Sequence, residues 1–215
     1  MTQSICSSTV IGQQFIAPHE SNLIVNRYSG GDFVITDTEN KIILTVKSCD
    51  TVFHRQRLLL DECERPIATL RAKNKTAHAR WNVFRGESKA ESDMIFSATT
   101  DHMIQNHIHV NVSLANKMSS GDDCDFYIKG NWLNGNCDIR KRDSSSSIAQ
   151  MHEWLSPHKF KVKIDPNVDY AFVVALIAIV DGIESHGPTK VVALNVAKQF
   201  ALAFAAKMIV LDILL

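Results

Sequence analysis

The chain has 215 residues, 45% apolar and 21% charged, which is enough to fill the core of one domain and too apolar for a disordered segment. Lys plus Arg number 23 and Asp plus Glu number 23, so net charge points to no particular partner and any basic surface must be local. Met1–Gln14 lacks a basic start followed by an apolar run and so excludes a secretory signal by pattern. Cys6, Cys49, Cys63, Cys124 and Cys137 are scattered, with no CxxC pair, as expected for reduced thiols in an intracellular, cytoplasmic protein.

After an N-terminal tail, 1–14, strand-like runs recur with turn signals between them. They are Asn22–Tyr28, Phe33–Asp37, Lys41–Ser48, Val52–Leu60, Pro66–Ala72, His78–Phe84, Met94–Thr100, His107–Leu114, Asp125–Lys129, Cys137–Lys141, Ile148–Trp154 and Lys159–Ile164. Ser29-Gly30-Gly31 reads as a flexible connector, Glu39-Asn40 suits a tight hairpin, and Ser144–Ser147 is a short loop. Alternation is clean in two runs. Ile108, Val110, Val112 and Leu114 oppose His107, His109, Asn111 and Ser113, and Phe160, Val162 and Ile164 oppose Lys159, Lys161 and Lys163. Such strands have one core face and one wet face, as an antiparallel sheet allows.

Pro166 stops the last strand, Asp169 is placed to cap a helix, and Gly182 to end it. From Tyr170 to Val180 that helix is apolar on every face, and a helix without a polar stripe must be buried on all sides. It is too short to span a bilayer, which needs about 20 residues. The inside of a closed barrel is its simplest home, with Phe172, Val173, Leu176, Ile177 and Val180 as the structural core. The fold expected is all-β: a closed antiparallel barrel of twelve strands over 15–184, enclosing a hydrophobic α-helix, plus a C-terminal helical extension at 185–215. Thr189–Leu215 is a second helical candidate, and its stretch Phe200–Leu215 is too charged for a membrane span and too apolar for free solvent. It reads as an element packed on the barrel or a partner, a membrane-associated tail, or a terminus foreign to the working fold.

Enzyme signatures are missing: there is no GxSxG, Walker loop, GxGxxG after a strand, HExxH or paired CxxC. No catalytic residue, metal site or cofactor is expected. His102, His107 and His109 come nearest to a metal cluster, without carboxylate or cysteine ligands beside them in sequence. The basic residues say more. Arg71, Lys73 and Lys75 alternate, with His78 and Arg80 close behind; His54, Arg55 and Arg57 lie one strand earlier; and Lys159, Lys161 and Lys163 form a second row. Solvated faces explain such rows plainly. Barrel curvature could also gather some of them into a surface holding phosphate. Aromatic platforms for stacking bases are not interleaved, so direct nucleic-acid binding is not expected.

Several stretches carry a resemblance: Phe33-Val-Ile-Thr-Asp37, Arg57-Leu-Leu-Leu-Asp61, Pro66-Ile-Ala-Thr-Leu-Arg-Ala-Lys73, His78-Ala-Arg-Trp-Asn-Val-Phe-Arg-Gly86, Asp125-Phe-Tyr-Ile-Lys-Gly130 and Val168-Asp-Tyr-Ala-Phe-Val-Val-Ala-Leu176. From Phe15 to Ile183 the chain resembles the plant LURP-one-related proteins, of the tubby-like C-terminal and phospholipid scramblase-like superfamily. The resemblance implies a twelve-stranded barrel around a central helix, and a role in plant defence or stress. It implies kinship with scramblases and with membrane-tethered transcription factors, hence a protein peripheral to membrane or nuclear. The chain itself shows no clear acidic calcium loop before the helix and no palmitoylation-type cysteine cluster, so neither kinship transfers a residue to it. Two functions follow as expectations: a non-enzymatic module binding anionic phospholipid such as phosphoinositide, and a protein–protein adaptor in plant defence with the tail as docking element.

Overall fold

The computed structural model describes residues 9–51, 54–73, 79–100, 107–115, 124–132, 135–143, 146–156 and 158–185. Expectations for Lys75, His78, His102 and Thr189–Leu215 lie outside them. The strands are β1 Ser21–Arg27, β2 Phe33–Thr36, β3 Ile42–Ser48, β4 Gln56–Leu60, β5 Pro66–Lys73, β6 Arg80–Arg85, β7 Met94–Thr100, β8 Ile108–Leu114, β9 Phe126–Asn131, β10 Asn136–Lys141, β11 Ser147–Ser156 and β12 Lys159–Ile164, followed by helix α1, Tyr170–Glu184. Each strand pairs antiparallel with its neighbours in sequence, and β1 closes on β12, so the twelve strands form a closed barrel without an edge.

The helix is the filling of that barrel. Phe172, Val173, Leu176, Ile177 and Val180 are all buried, Leu176 completely. Phe172 is met edge-on by Phe96 at 5.2 Å and by Phe126 at 5.0 Å between ring centroids. Inward residues alternate along the wall as the sequence pattern requires. Ile108, Val110 and Val112 face in from β8, and Phe160, Val162 and Ile164 from β12. A void of about 10 Å³ remains beside Trp132, Cys137, Met151 and Ile177, room for about one water. Its lining is apolar, which marks a dry packing defect rather than a ligand site.

Asp169 caps α1 as expected, and it does more. Its Oδ1 accepts the Phe172 N–H at 3.0 Å, while its Oδ2 accepts the N–H groups of Val10, Ile11 and Gly12 at 3.1, 2.7 and 3.1 Å. One buried carboxylate thus starts the helix and ties the N-terminal segment beneath it.

Some expected boundaries shift. Gly182 does not end the helix, which runs on to Glu184; a mid-helix glycine costs only about 1 kcal/mol, too little to stop it. The fourth strand starts at Gln56, because Thr51 and His54 close a turn on each other and Asp50 Oδ1 takes the Gln56 N–H at 2.8 Å. Ser147 belongs to β11, its hydroxyl hydrogen-bonded to the carbonyls of Ile139 and Ala149. The Glu39-Asn40 hairpin is as read: Asn40 takes φ +65°, and Asp37 Oδ1 accepts from both Glu39 and Lys41.

Alternating antiparallel strands place the connections at two rims. The β1–β2, β3–β4, β5–β6, β7–β8, β9–β10 and β11–β12 hairpins share the rim where α1 approaches its end, here the upper rim. The other connections share the lower rim with the start of α1.

Candidate functional site

The two basic rows are set by strand order. Arg71 and Lys73 lie on β5 and Arg80 on β6; Lys159, Lys161 and Lys163 lie on β12. Going either way round the ring, at least four strands separate these rows, so they sit on opposite sides of the barrel and form no single lateral patch. Their ends nevertheless share a level. Lys73 finishes β5, Arg80 begins β6 and Lys159 begins β12, all at the upper rim.

On the β5–β6 face, Lys73 stands directly opposite Arg80, and Arg71 opposite Asn82 one step below. Ala72, Trp81 and Val83 point inward and are buried, which turns Arg71, Lys73 and Arg80 outward. Among the described residues Lys73 has one ion pair, with Glu91 at 3.8 Å. Among the described residues neither Arg71 nor Arg80 has a side-chain ion pair, and the buried Arg80 Nε has no hydrogen-bond acceptor. Like charges directly opposite on a ladder are destabilising, so this grouping is not explained by stability.

The β12 row is quieter. Lys163 pairs with Glu20 at 2.8 Å, and that hydrogen bond raises its pKa. Lys161 lies opposite Ile24 on one side and Glu153 on the other, and Lys159 opposite Asn26 and Ser156.

Arg57, read from sequence beside His54 and Arg55, is not a surface cation. It points into the upper mouth, where Nη1 donates to the Ala178 carbonyl at 2.7 Å and Nη2 to Asp181 Oδ2 at 2.9 Å. Arg27 Nη2 meets the other oxygen of Asp181 at 2.5 Å. An acidic side chain late in a helix opposes the macrodipole, and the two guanidiniums offset that here. Gly31, at φ +91°, borders the same group: a Cβ there would sit 2.8 Å from Arg57 Nη2. Arg55 lies over the Trp81 ring at 5.6 Å. Burial lowers its pKa, Asp50 opposing the shift and Arg57 adding to it.

An open cleft of about 460 Å³ lies at the same rim, lined by His107, His109, Lys129, Asn131, Asn136 and Asp138. Sequence reasoning found the two histidines sharing a strand face, but not the cleft, whose other walls come from β9 and β10. Among the described residues, no three His, Cys, Asp or Glu side chains are grouped to hold a metal. No described helix is long and apolar enough to cross a membrane. Cys49, Cys63, Cys124 and Cys137 form no disulfide.

A closed barrel threaded by its own apolar helix, with cations on one rim, defines the class of protein. A family model described as LURP-one-related matches residues 23–181, and the chain belongs to that family. It is 35% identical over 189 residues to Protein LURP1 of Arabidopsis thaliana, covering 83% of this chain and 91% of that protein. It is 33% identical over 185 residues to Protein LURP-one-related 15 of the same plant, covering 81% and 85%. An X-ray structure of an Arabidopsis thaliana protein matches with a TM-score of 0.67 at 32% identity, covering 82% of this chain and 98% of that one.

Proposed function

We propose that the protein is a non-catalytic binding barrel that engages the phosphorylated headgroups of anionic phospholipid at its upper-rim cations. The carrying observation is the Arg71–Lys73–Arg80 group, in which Lys73 faces Arg80 across the ladder and neither guanidinium has a carboxylate partner among the described residues. Cations held together against their mutual repulsion gain most from a multiply charged anion, and guanidiniums bind phosphate in a fork. The tubby-like and scramblase-like kinship expected from the sequence runs in the same direction.

Liposome flotation tests this reading. Phosphatidylcholine vesicles carrying phosphoinositide should float the protein, and phosphatidylcholine alone should not. The R71E/R80E variant should lose binding by about tenfold or more. Equal flotation of both proteins, or flotation that ignores the lipid's charge, overturns the reading.

A further inference from the structure

We infer that the barrel meets an anionic bilayer end-on, upper rim down, with Tyr28 and Leu155 entering the lipid interface. This rests on the lipid reading above and gives it a direction.

Three large apolar side chains stand exposed among the described residues: Tyr28 at 59%, Ile42 at 49% and Leu155 at 45%. Ile42 opens β3 at the lower rim. Tyr28 follows β1, and Leu155 is the penultimate residue of β11, so both belong to the upper rim. Their hairpins are neighbours, since β1 pairs with β12 and the Arg27 N–H reaches the His158 carbonyl at 2.7 Å. Lys159 lies between them. An aromatic and a leucine flanked by lysine suit a membrane interface, where the apolar parts sink and the ammonium stays among headgroups.

The spread of the cations selects the shape of the partner. Twelve strands about 4.8 Å apart enclose a cylinder roughly 20 Å across. Lys73 and Arg80 lie on one side of that mouth and Lys159 on the other, so no single phosphate spans them. A flat array of headgroups does. The apolar pair favours a bilayer over a nucleic acid, because phosphodiester backbones offer nothing for Leu155 to enter.

The test is flotation on phosphatidylcholine vesicles with and without phosphatidylserine, comparing wild type, Y28A/L155A and I42A. All three sites are exposed, so the fold should survive; thermal melts check that. Y28A/L155A should bind about tenfold more weakly, and its remaining binding should fall more steeply with salt. I42A should stay within about twofold of wild type. A Tyr28→Trp variant should be quenched by brominated lipid. If wild type binds while Y28A/L155A matches it, or I42A loses as much, or Tyr28→Trp is not quenched, the end-on pose is wrong and the headgroup reading stands. If wild type floats neither on these vesicles nor on phosphoinositide vesicles, both fall. If it instead binds single-stranded RNA through Lys73 and Arg80, the bilayer is the wrong partner.

Discussion

Arg57 and Asp181 meet at 2.9 Å inside the mouth of the barrel, with side-chain exposures of 5% and 1%. Because both charges are nearly dry, each depends on the other. Asp181→Asn leaves Arg57 buried against half a partner, and Arg57→Met strands Asp181 with Arg27 alone. Either change should cost about 3–5 kcal/mol, read from urea denaturation midpoints. The R57M/D181L double variant should recover much of that loss, because well-packed apolar replacements of a buried pair are often neutral. A double variant no better than the singles would show that the Arg57 bond to the Ala178 carbonyl matters more than the ion pair.

Asp169 satisfies four backbone N–H groups from two distant parts of the chain. Asp169→Ala should destabilise by about 3 kcal/mol or more, since the helix cap and three further donors lose their acceptor together. Amide exchange at Val10, Ile11 and Gly12 should then accelerate ahead of global unfolding. Unchanged exchange there would mean that Phe15, stacked edge-on to Tyr170 at 5.6 Å, holds the segment alone.

Leu176 sits at the middle of the swallowed helix with no exposure at all. Leu176→Ala should cost about 2–5 kcal/mol through lost burial and the cavity it leaves. Leu176→Asp should give no folded barrel, because it carries an ionised carboxylate into a fully buried position. A soluble, cooperatively melting Leu176→Asp protein would contradict the enclosed position of α1.

Arg80 separates a functional cation from a structural one. Arg80→Met keeps the aliphatic stem and removes both the repulsion with Lys73 and the unmatched Nε. Thermal stability should stay level or rise by the equivalent of a few tenths of a kcal/mol, while binding to anionic vesicles falls. A marked loss of stability would mark Arg80 as part of the scaffold.

Tyr170 gives the alkaline limit. Burial, then the neighbouring Asp169 and Glu62 charges, raises its pKa above the usual value for tyrosine. The folded chain therefore holds the phenolic proton more tightly than the unfolded chain. That contribution is complete below the unfolded pKa, about 10, and is lost as pH rises through the folded value. Tyr170→Phe should remove this part of the alkaline slope, seen in denaturation series from neutral to strongly basic pH.

Much of this was legible because it depends on local periodicity. Ile108, Val110 and Val112 announce a strand with one dry face, and Tyr170–Val180 announces a helix with no wet one; each pattern states a burial requirement without naming a neighbour. Asp169 was legible as a cap because capping acts over three residues. Its grip on Val10–Gly12 was not, since those donors lie more than 150 residues away in sequence. Arg57 was misleading for the same reason: beside His54 and Arg55 it looks like one more surface cation, and only the approach of Asp181 makes it a core residue.

Alternating and all-round apolar spacing, acting through hydrophobic burial, determined by itself that this chain makes a barrel around a greasy helix. Which cations share a surface was decided only by tertiary structure. Ring closure carries β5 and β6 to the far side of the barrel from β12, while hairpin connectivity brings Lys73, Arg80 and Lys159 to one rim. The side-chain pattern of a strand repeats every two residues and records which face is wet; it holds no record of which strand stands next to it, or at what height.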